Sequence, residues 1–430
     1  MYTMTTPQQF LKNHGFDIEA FNRVELLESF LKEMNAGLKG EESSLMMIPS
    51  FINTETPIPT EKPVIILDAG GTNLRAATVC LKKDGTPVIS DYVKRPMPGT
   101  REEISDTEFF DTLADLIVPI ADRSDTIGFC FSYPAEILPD CDARLIRWSK
   151  QIHAPSVVGK LLGTGLKESL LKKGISKRVV MLNDTVTTLL AGKSAGIAKG
   201  YSAYVGFILG TGTNISYAEK NSCILKRNDL DPDSSMAINV ESGAFRGLKR
   251  SDFDVILDNR TSDPGTFFLE KMIAGAYLGK IGKIILDCAV EEGLFSGEAA
   301  KAITGIQELG NKDLDDFCAG CPTEENPLNA IPAGEAALVR ELCSPVYERS
   351  AVLTAVNIAA AVLKTGCGTD AAHPVCVNAD GSTFYFTRTG DFRGTVVKEL
   401  DALLEPRGIH YEIIKVDDSP IIGSAVAGLV

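Results

Sequence analysis

Apolar residues recur at helical spacing over residues 6–38, at Phe10, Leu11, Phe16, Ile18, Phe21, Val24, Leu26, Leu27, Phe30 and Leu31, which predicts two helices on one flank. Residues 47–63 break that period. Pro49, Pro57, Pro59 and Pro63 forbid a regular helix, so an extended linker is expected there. From Pro63 the pattern turns to short β-branched runs punctuated by glycine. Residues 64–68, 73–81 and 87–94, the last after the turn Lys83-Asp84-Gly85, read as a three-strand meander. A helical period over 106–120, a strand over 126–131, a helix over 156–171 and a strand over 178–182 follow. Strands and helices alternate, as in a mixed sheet covered by helices.

A second series begins at 202–209, turns through Gly210 to Thr213 and resumes as a strand over 214–217. The two openings, VIILDAGGTNLRAATV and VGFILGTGTNISYAE, share one order: apolar strand, glycine–threonine turn ending in asparagine, strand. Helical patterns over 264–288 and 335–363 come next, and a last strand precedes 378–383. The tail, 413–430, ends in a small-residue helix placed to return to the first half.

A chain of 430 residues exceeds one ordinary hydrophobic core, so two or three domains around a cleft are expected. With 44% hydrophobic and 23% charged residues the composition is globular. A net charge of −14 argues against a general nucleic-acid or anionic-membrane binder, either of which needs a basic face. The 10 cysteines are scattered and the opening residues are polar, which together point to a reduced, cytoplasmic protein. No apolar run approaches the roughly 20 residues that span a bilayer. The 4 histidines lie far apart, against a histidine-based metal site. Cys318 and Cys321 form one CxxC, read as a loop carrying two thiols.

Candidate chemistry gathers at strand ends. In Asp68-Ala69-Gly70-Gly71-Thr72-Asn73 the glycines let backbone amides approach a polyphosphate, and Thr72 and Asn73 add donors. Asp68 is placed to hold a water of hydrated Mg2+. The stretch has neither a P-loop lysine nor GxGxxG, and alone it is also a plain hairpin turn. The second turn, Gly210-Thr211-Gly212-Thr213-Asn214, matches it, as a nucleotide clasp between two related lobes requires. Asp184 closes the apolar strand RVVMLND, where α/β sheets place ligands; there it can accept a proton from a hydroxyl, or Asn183 or Asp184 can simply cap the next helix. Glu241 and Glu270 lie among apolar residues and need partners such as sugar hydroxyls, the plainer alternative being surface glutamates. Trp148, the single tryptophan, reads as core or cleft, and Lys150 as a solvated charge or a clamp on a transferring phosphoryl.

Taken in order, these motifs resemble the hexokinase family, within the actin-like ATPase superfamily. The resemblance covers about 47–280, with a weaker match in the tail. MIPSFI, LDAGGTNLRAATV, GFCFSYP, RWSKQI, MLNDTVTTLLAG, GTGTNISY, INVESGAF and FDVILDNRTSDPGTFFLEKMIAGAYLG stand in family order. The resemblance implies a two-lobed, ribonuclease H-like α/β fold with mixed sheets flanked by helices. Residues 1–60 would join the large lobe, 61–192 form the small lobe, 193–414 the large lobe, and 415–430 return to the small one. It implies an ATP-dependent kinase acting on the 6-hydroxyl of glucose or a related hexose, with Mg2+, as a monomer or homodimer. Ser132, Ser149, Lys150, Asn183, Asp184, Asn214, Glu241 and Glu270 would line the hexose pocket, with Asp184 as general base and Lys150 beside the reacting phosphoryl. Asp68, Gly70, Gly71, Thr72, Asn73 and Arg75 would hold phosphates and metal from one lobe, Gly210, Thr211, Gly212 and Thr213 from the other, with Asp380, Gly381 and Gly423 toward the nucleotide.

Three positions depart from the family pattern. Ser149 replaces a threonine, Ser242 replaces a tryptophan and is expected to leave space near the sugar, and DDSPIIGSAVAG replaces a glycine-rich nucleotide segment. A kinase of the same superfamily with another sugar, and a non-catalytic sugar sensor, are the alternatives. The set Ser132, Lys150, Asn183, Glu241 and Glu270 weighs against a filament or chaperone-like ATPase, and Asp184 with two phosphate turns weighs against a sensor.

Overall fold

The computed structural model describes residues 6–71, 73–148 and 152–430. Its elements in chain order are α1 (Pro7–Asn13), α2 (Arg23–Lys39), β1 (Ile48–Asn53), β2 (Pro63–Ala69), β3 (Asn73–Leu81), β4 (Pro87–Pro96), α3 (Asp106–Ile117), β5 (Thr126–Phe131), β6 (Ala135–Ile137) and β7 (Ala143–Leu145). There follow α4 (Leu162–Lys172), β8 (Arg178–Leu182), α5 (Asp184–Ala195), β9 (Ala203–Leu209), β10 (Thr213–Lys220), β11 (Ser235–Asn239), α6 (Asp252–Asn259), α7 (Phe268–Ile273) and α8 (Gly275–Glu291). The rest are α9 (Gly297–Gly305), α10 (Asn311–Cys318), α11 (Ala336–Lys364), β12 (Val375–Asp380), α12 (Ser382–Phe386), α13 (Phe392–Leu404), β13 (Tyr411–Ile414) and α14 (Ser419–Leu429).

Two sheets share a wiring. One runs β4-β3-β2-β5-β8, the other β1-β11-β10-β9-β12-β13. Each opens as an antiparallel meander (β2-β3-β4; β9-β10-β11) and grows by parallel strands on the other side of its first strand (β5 and β8; β12 and β13). The repeated sequence theme is therefore a repeated topology, and in both copies the glycine-rich turn joins the first two strands. α5 packs on β9, β10 and β12 of the larger sheet and, on its other side, against α14, which itself lies on β2 and β5.

α14 does return to the first half, and glycine makes that contact possible. A Cβ built on Gly128 would lie 1.9 Å from the Ser424 carbonyl oxygen, and one on Gly423 would lie 1.9 Å from the Thr187 carbonyl oxygen. Backbone meets backbone at both points, which only glycine permits.

Local chemistry sets most boundaries. Asn22 caps α2 by accepting from the Val24 and Glu25 amides, and Gly40, at φ 76°, closes it in the left-handed conformation. The segment expected to be a linker instead gives β1, an edge strand antiparallel to β11 with a register shift between Pro49 and Asn53. Pro49 is tolerated because an edge strand needs hydrogen bonds on one side only. The helix expected over 156–171 starts only at Leu162: Gly159, at φ 82°, separates it from a 3-10 turn at Pro155–Val157. The helical pattern over 264–288 is two helices, because Ala274 is extended (ψ 150°) and turns the chain toward the second glycine turn. Residues 378–380 belong to β12 itself. α11 is long and apolar enough to cross a membrane, yet its apolar stretch is almost wholly buried in protein, against α2, α8 and α13. The stretch 296–335, which no motif placed, supplies α9 and α10 beside α8 and α11.

Candidate active site

Register brings the first set of residues together. Asp68 on β2 pairs with Cys130 on β5, and Cys130 with Leu182 on β8. Ser132 and the Asn183-Asp184 pair therefore leave the same edge of the sheet as the first glycine turn. Asn183 caps α5, its Oδ1 accepting the Thr185 amide at 2.8 Å, while Asp184 opens the helix and faces the cavity. Capping and function are thus divided between neighbours.

The cavity measures about 570 Å³ and lies between the strand ends of the two sheets. Ser132, Asn183 and Asp184 line it from one side; Thr211, Gly212, Thr213, Asn214, Glu241 and Glu270 line it from the other. Glu241, at φ 57°, accepts from Asn239 Nδ2 at 2.8 Å and Asn214 Nδ2 at 3.2 Å. Burial pushes its carboxyl up, against the pull of the Asn239 bond. Glu270 accepts the Thr213 amide on Oε2 at 3.0 Å, and burial pushes it up to about 7. Arg147 is the one basic side chain among the described residues lining the cavity, and its charge draws Glu241 down.

Both glycine turns are held by side chains that the sequence assigned no role, Tyr133 of the GFCFSYP segment and Thr383. Tyr133 Oη donates to the Gly70 and Gly71 carbonyls at 3.1 and 2.8 Å, and its ring stacks edge-on with Trp148 at 5.0 Å between centroids. Trp148 is half-buried, its Nε1 donating to the Ala154 carbonyl, so it belongs to the core behind this wall. Gly70 N donates to the Asn73 carbonyl and closes the first turn. In the second, the Gly210 carbonyl takes the Gly275 amide and Thr383 Oγ1, each at 2.8 Å, and the Thr211 carbonyl takes the Ala276 amide.

Several expected residues sit differently. Asp68 is 1% exposed and paired with Arg75, whose Nε and Nη2 reach Oδ2 at 2.7 and 2.6 Å, with Asp418 3.8 Å from the same guanidinium. Arg75 is thus engaged by carboxylates rather than presented to an anion. Burial still outweighs it and raises the Asp68 carboxyl. Asp380 and Gly381 do not line the cavity; they back the second turn, with Gly381 at φ 111° against the Leu209 carbonyl. Gly423, expected toward the nucleotide, lies inside α14 and packs against the Thr187 backbone. Ser242 leaves no space at the cavity either: it is fully buried behind Glu241 and takes a hydrogen bond from Asn357 Nδ2 of α11 at 3.1 Å. Cys318 and Cys321 have separate surroundings, Cys321 accepting from Arg388 Nη1 at 3.2 Å and Cys318 half-buried near Cys343. Thr72, Ser149 and Lys150 lie outside the described residues.

Chemically, the site offers a proton acceptor, two hydrogen-bonded carboxylates able to take paired hydroxyls, and two glycine turns whose amides suit anions. Comparison with known proteins places the chain in a family. Residues 8–194 match one hexokinase family profile and residues 204–430 a second. A hexokinase of Schistosoma mansoni is 30% identical over 400 residues, 86% of this chain and 86% of that protein. Hexokinase-1 of Schizosaccharomyces pombe is 30% identical over 439 residues, 95% of this chain and 87% of that one. The solved structure of the Schistosoma mansoni hexokinase complexed with glucose superposes with a TM-score of 0.79 at 27% identity, covering 99% of each chain. With paired sheets, matched turns and two consecutive profiles in agreement, the chain belongs to the hexokinase family.

Proposed function

We propose that this protein transfers the γ-phosphoryl of ATP to the 6-hydroxyl of glucose or a related hexose, with Asp184 as general base. The observation that carries this reading is a single cavity faced by Asp184 from one sheet and by Glu241 and Glu270 from the other, with the second glycine turn at its wall. Hexose hydroxyls donate to Glu241 and Glu270, while Asn183 and Ser132 fix the reacting end beside Asp184. Asp184 accepts the hydroxyl proton as that oxygen attacks, and the turn amides face the phosphates.

Asp68 fits a divalent cation through water: it is a buried carboxylate at the end of the first phosphate hairpin, steadied on one oxygen by Arg75. Mg2+ bound there would screen phosphate charge. Approach of the two sheets would exclude water and limit wasteful ATP hydrolysis.

The test is ADP release from Mg-ATP with a panel of hexoses, with no sugar, and with Asp184→Ala. Hexose-dependent release is expected, falling about 10²–10⁴-fold in the variant while hexose binding persists. Release without sugar would favour an ATPase, and hexose binding without release a sensor.

A further inference from the structure

Glu270 stands where the sugar side of the cavity touches a backbone amide of the second phosphate turn. Its Oε2 accepts the Thr213 amide at 3.0 Å. Two glycines leave room for it there: a Cβ on Gly212 would lie 2.7 Å from that oxygen, and one on Gly243 3.1 Å from the Glu270 Cβ. Oε1 has no hydrogen-bond partner among the described residues, and the side chain lines the cavity. The turn's carbonyls are already fixed, Gly210 by the Gly275 amide and Thr383, and Thr211 by the Ala276 amide. What remains to be set is its amide side, and a carboxylate occupies it.

We propose that Glu270 is a positioning residue for the phosphoryl donor, through which hexose occupancy readies the second phosphate turn; this rests on the kinase reading above. A carboxylate beside the turn repels an incoming polyphosphate. Hydroxyls donated to Oε1 spread that charge over more hydrogen bonds and weaken both the repulsion and the hold on the Thr213 amide. The turn then accepts the donor more readily, and by reciprocity the donor tightens the hexose. Both partners belong to the larger-sheet half, Glu270 on α7 and Thr213 on β10, so the link works without movement between the sheets.

The experiment is calorimetric titration with Mg2+ and the non-hydrolysable ATP analogue AMPPNP, without hexose and with glucose at saturation for each protein. Saturation is read from Trp148 fluorescence, the chain's only tryptophan. The wild type is expected to bind the analogue several-fold more tightly with glucose. Glu270→Gln, which loses the charge, and Glu270→Asp, which is too short to reach the amide, should bring that ratio close to one. Glu241→Gln, which weakens glucose, keeps an acceptor for Asn214 and leaves the Glu270–Thr213 bond in place, should keep it. A wild-type ratio of one, or an unchanged ratio in either Glu270 variant, overturns the proposal. Failure of the kinase reading is separately visible as absence of hexose-dependent ADP release from the wild type.

Discussion

Burial makes the charge on Glu270 costly. Its ordinary value of 4.5 is raised to about 7, mainly by burial and further by Glu241 and Asp263, with the Thr213 amide and Lys271 opposing. The folded state therefore binds this proton more tightly than the unfolded one. The stability linked to it is full below pH 4.5 and is lost as pH rises through about 7. Glu270→Gln, which keeps an acceptor for Thr213, is expected to stabilise the sugar-free protein by up to about 3 kcal/mol at pH 8, with the gain vanishing near pH 4. Urea unfolding at the two pH values checks it, and an equal gain at both would assign the effect to packing. Arg75 makes the opposite case. Arg75→Ala strands a buried Asp68, and a loss of about 3–5 kcal/mol is expected in the same assay, because the remaining charge has no counterpart. At this scale the motif residues were legible, since glycines, asparagines and acids at strand ends carry their chemistry in their type. The roles of Tyr133 and Thr383 were not: their hydroxyls cap turn carbonyls 63 and 173 residues away, and although Tyr133 lies in GFCFSYP, a local segment does not encode so distant a partner. Gly423 shows the complementary difficulty, since a glycine that admits a phosphate and one that admits a helix are the same letter.

Helix α14 is where that distinction can be measured. Replacing a helix-interior glycine by alanine ordinarily gains about 1 kcal/mol from the backbone. At Gly423 the new methyl would meet the Thr187 carbonyl, carbon and Cα within 2.5 Å. The sign should therefore reverse. Gly423→Ala is expected to lose about 1–3 kcal/mol by overpacking, with the KM for ATP little changed at a temperature where the variant stays folded. A raised KM with unaltered stability would restore the nucleotide-contact reading. Other elements show which sequence signals suffice. The strand 178–182 was legible to the residue, because an apolar β-branched run ends at a capping asparagine. β1 was obscured by prolines that an edge strand tolerates, and β11 because only its last two residues fall in INVESGAF. The break between α7 and α8 was not read because the apolar period runs on across Ala274 and Gly275. It is imposed by tertiary bonds from Gly275 and Ala276 to the second turn.

The duplicated wiring puts both phosphate turns at equivalent places, and with it the burden of bringing them together falls on the crossings between sheets. The repeated strand-turn-strand theme made this plan readable from the sequence, whereas the clamp on the first crossing was not. Lys193, near the end of α5, donates to the carbonyls of Thr54 and Thr56, each at 2.7 Å, and burial lowers its ammonium below the ordinary lysine range. α5 is packed against the larger sheet and α14, so the clamp fixes the start of the crossing to the centre of the molecule, and the proline-bearing remainder is held at its far end by the Glu61 amide on the Leu81 carbonyl. Lys193→Met removes both bonds and should release a longer tether. More separated arrangements would then be populated without sugar, and hexose would pay to reverse them, because apparent affinity falls with the fraction of competent molecules. Small-angle scattering is expected to show a larger radius of gyration than wild type without glucose and the same radius at saturation. The KM for glucose should rise several-fold, with a smaller change in kcat. An unchanged sugar-free radius together with an unchanged KM would mean that the balance between open and closed forms is set elsewhere, at the α5–α14 contact rather than at the tether.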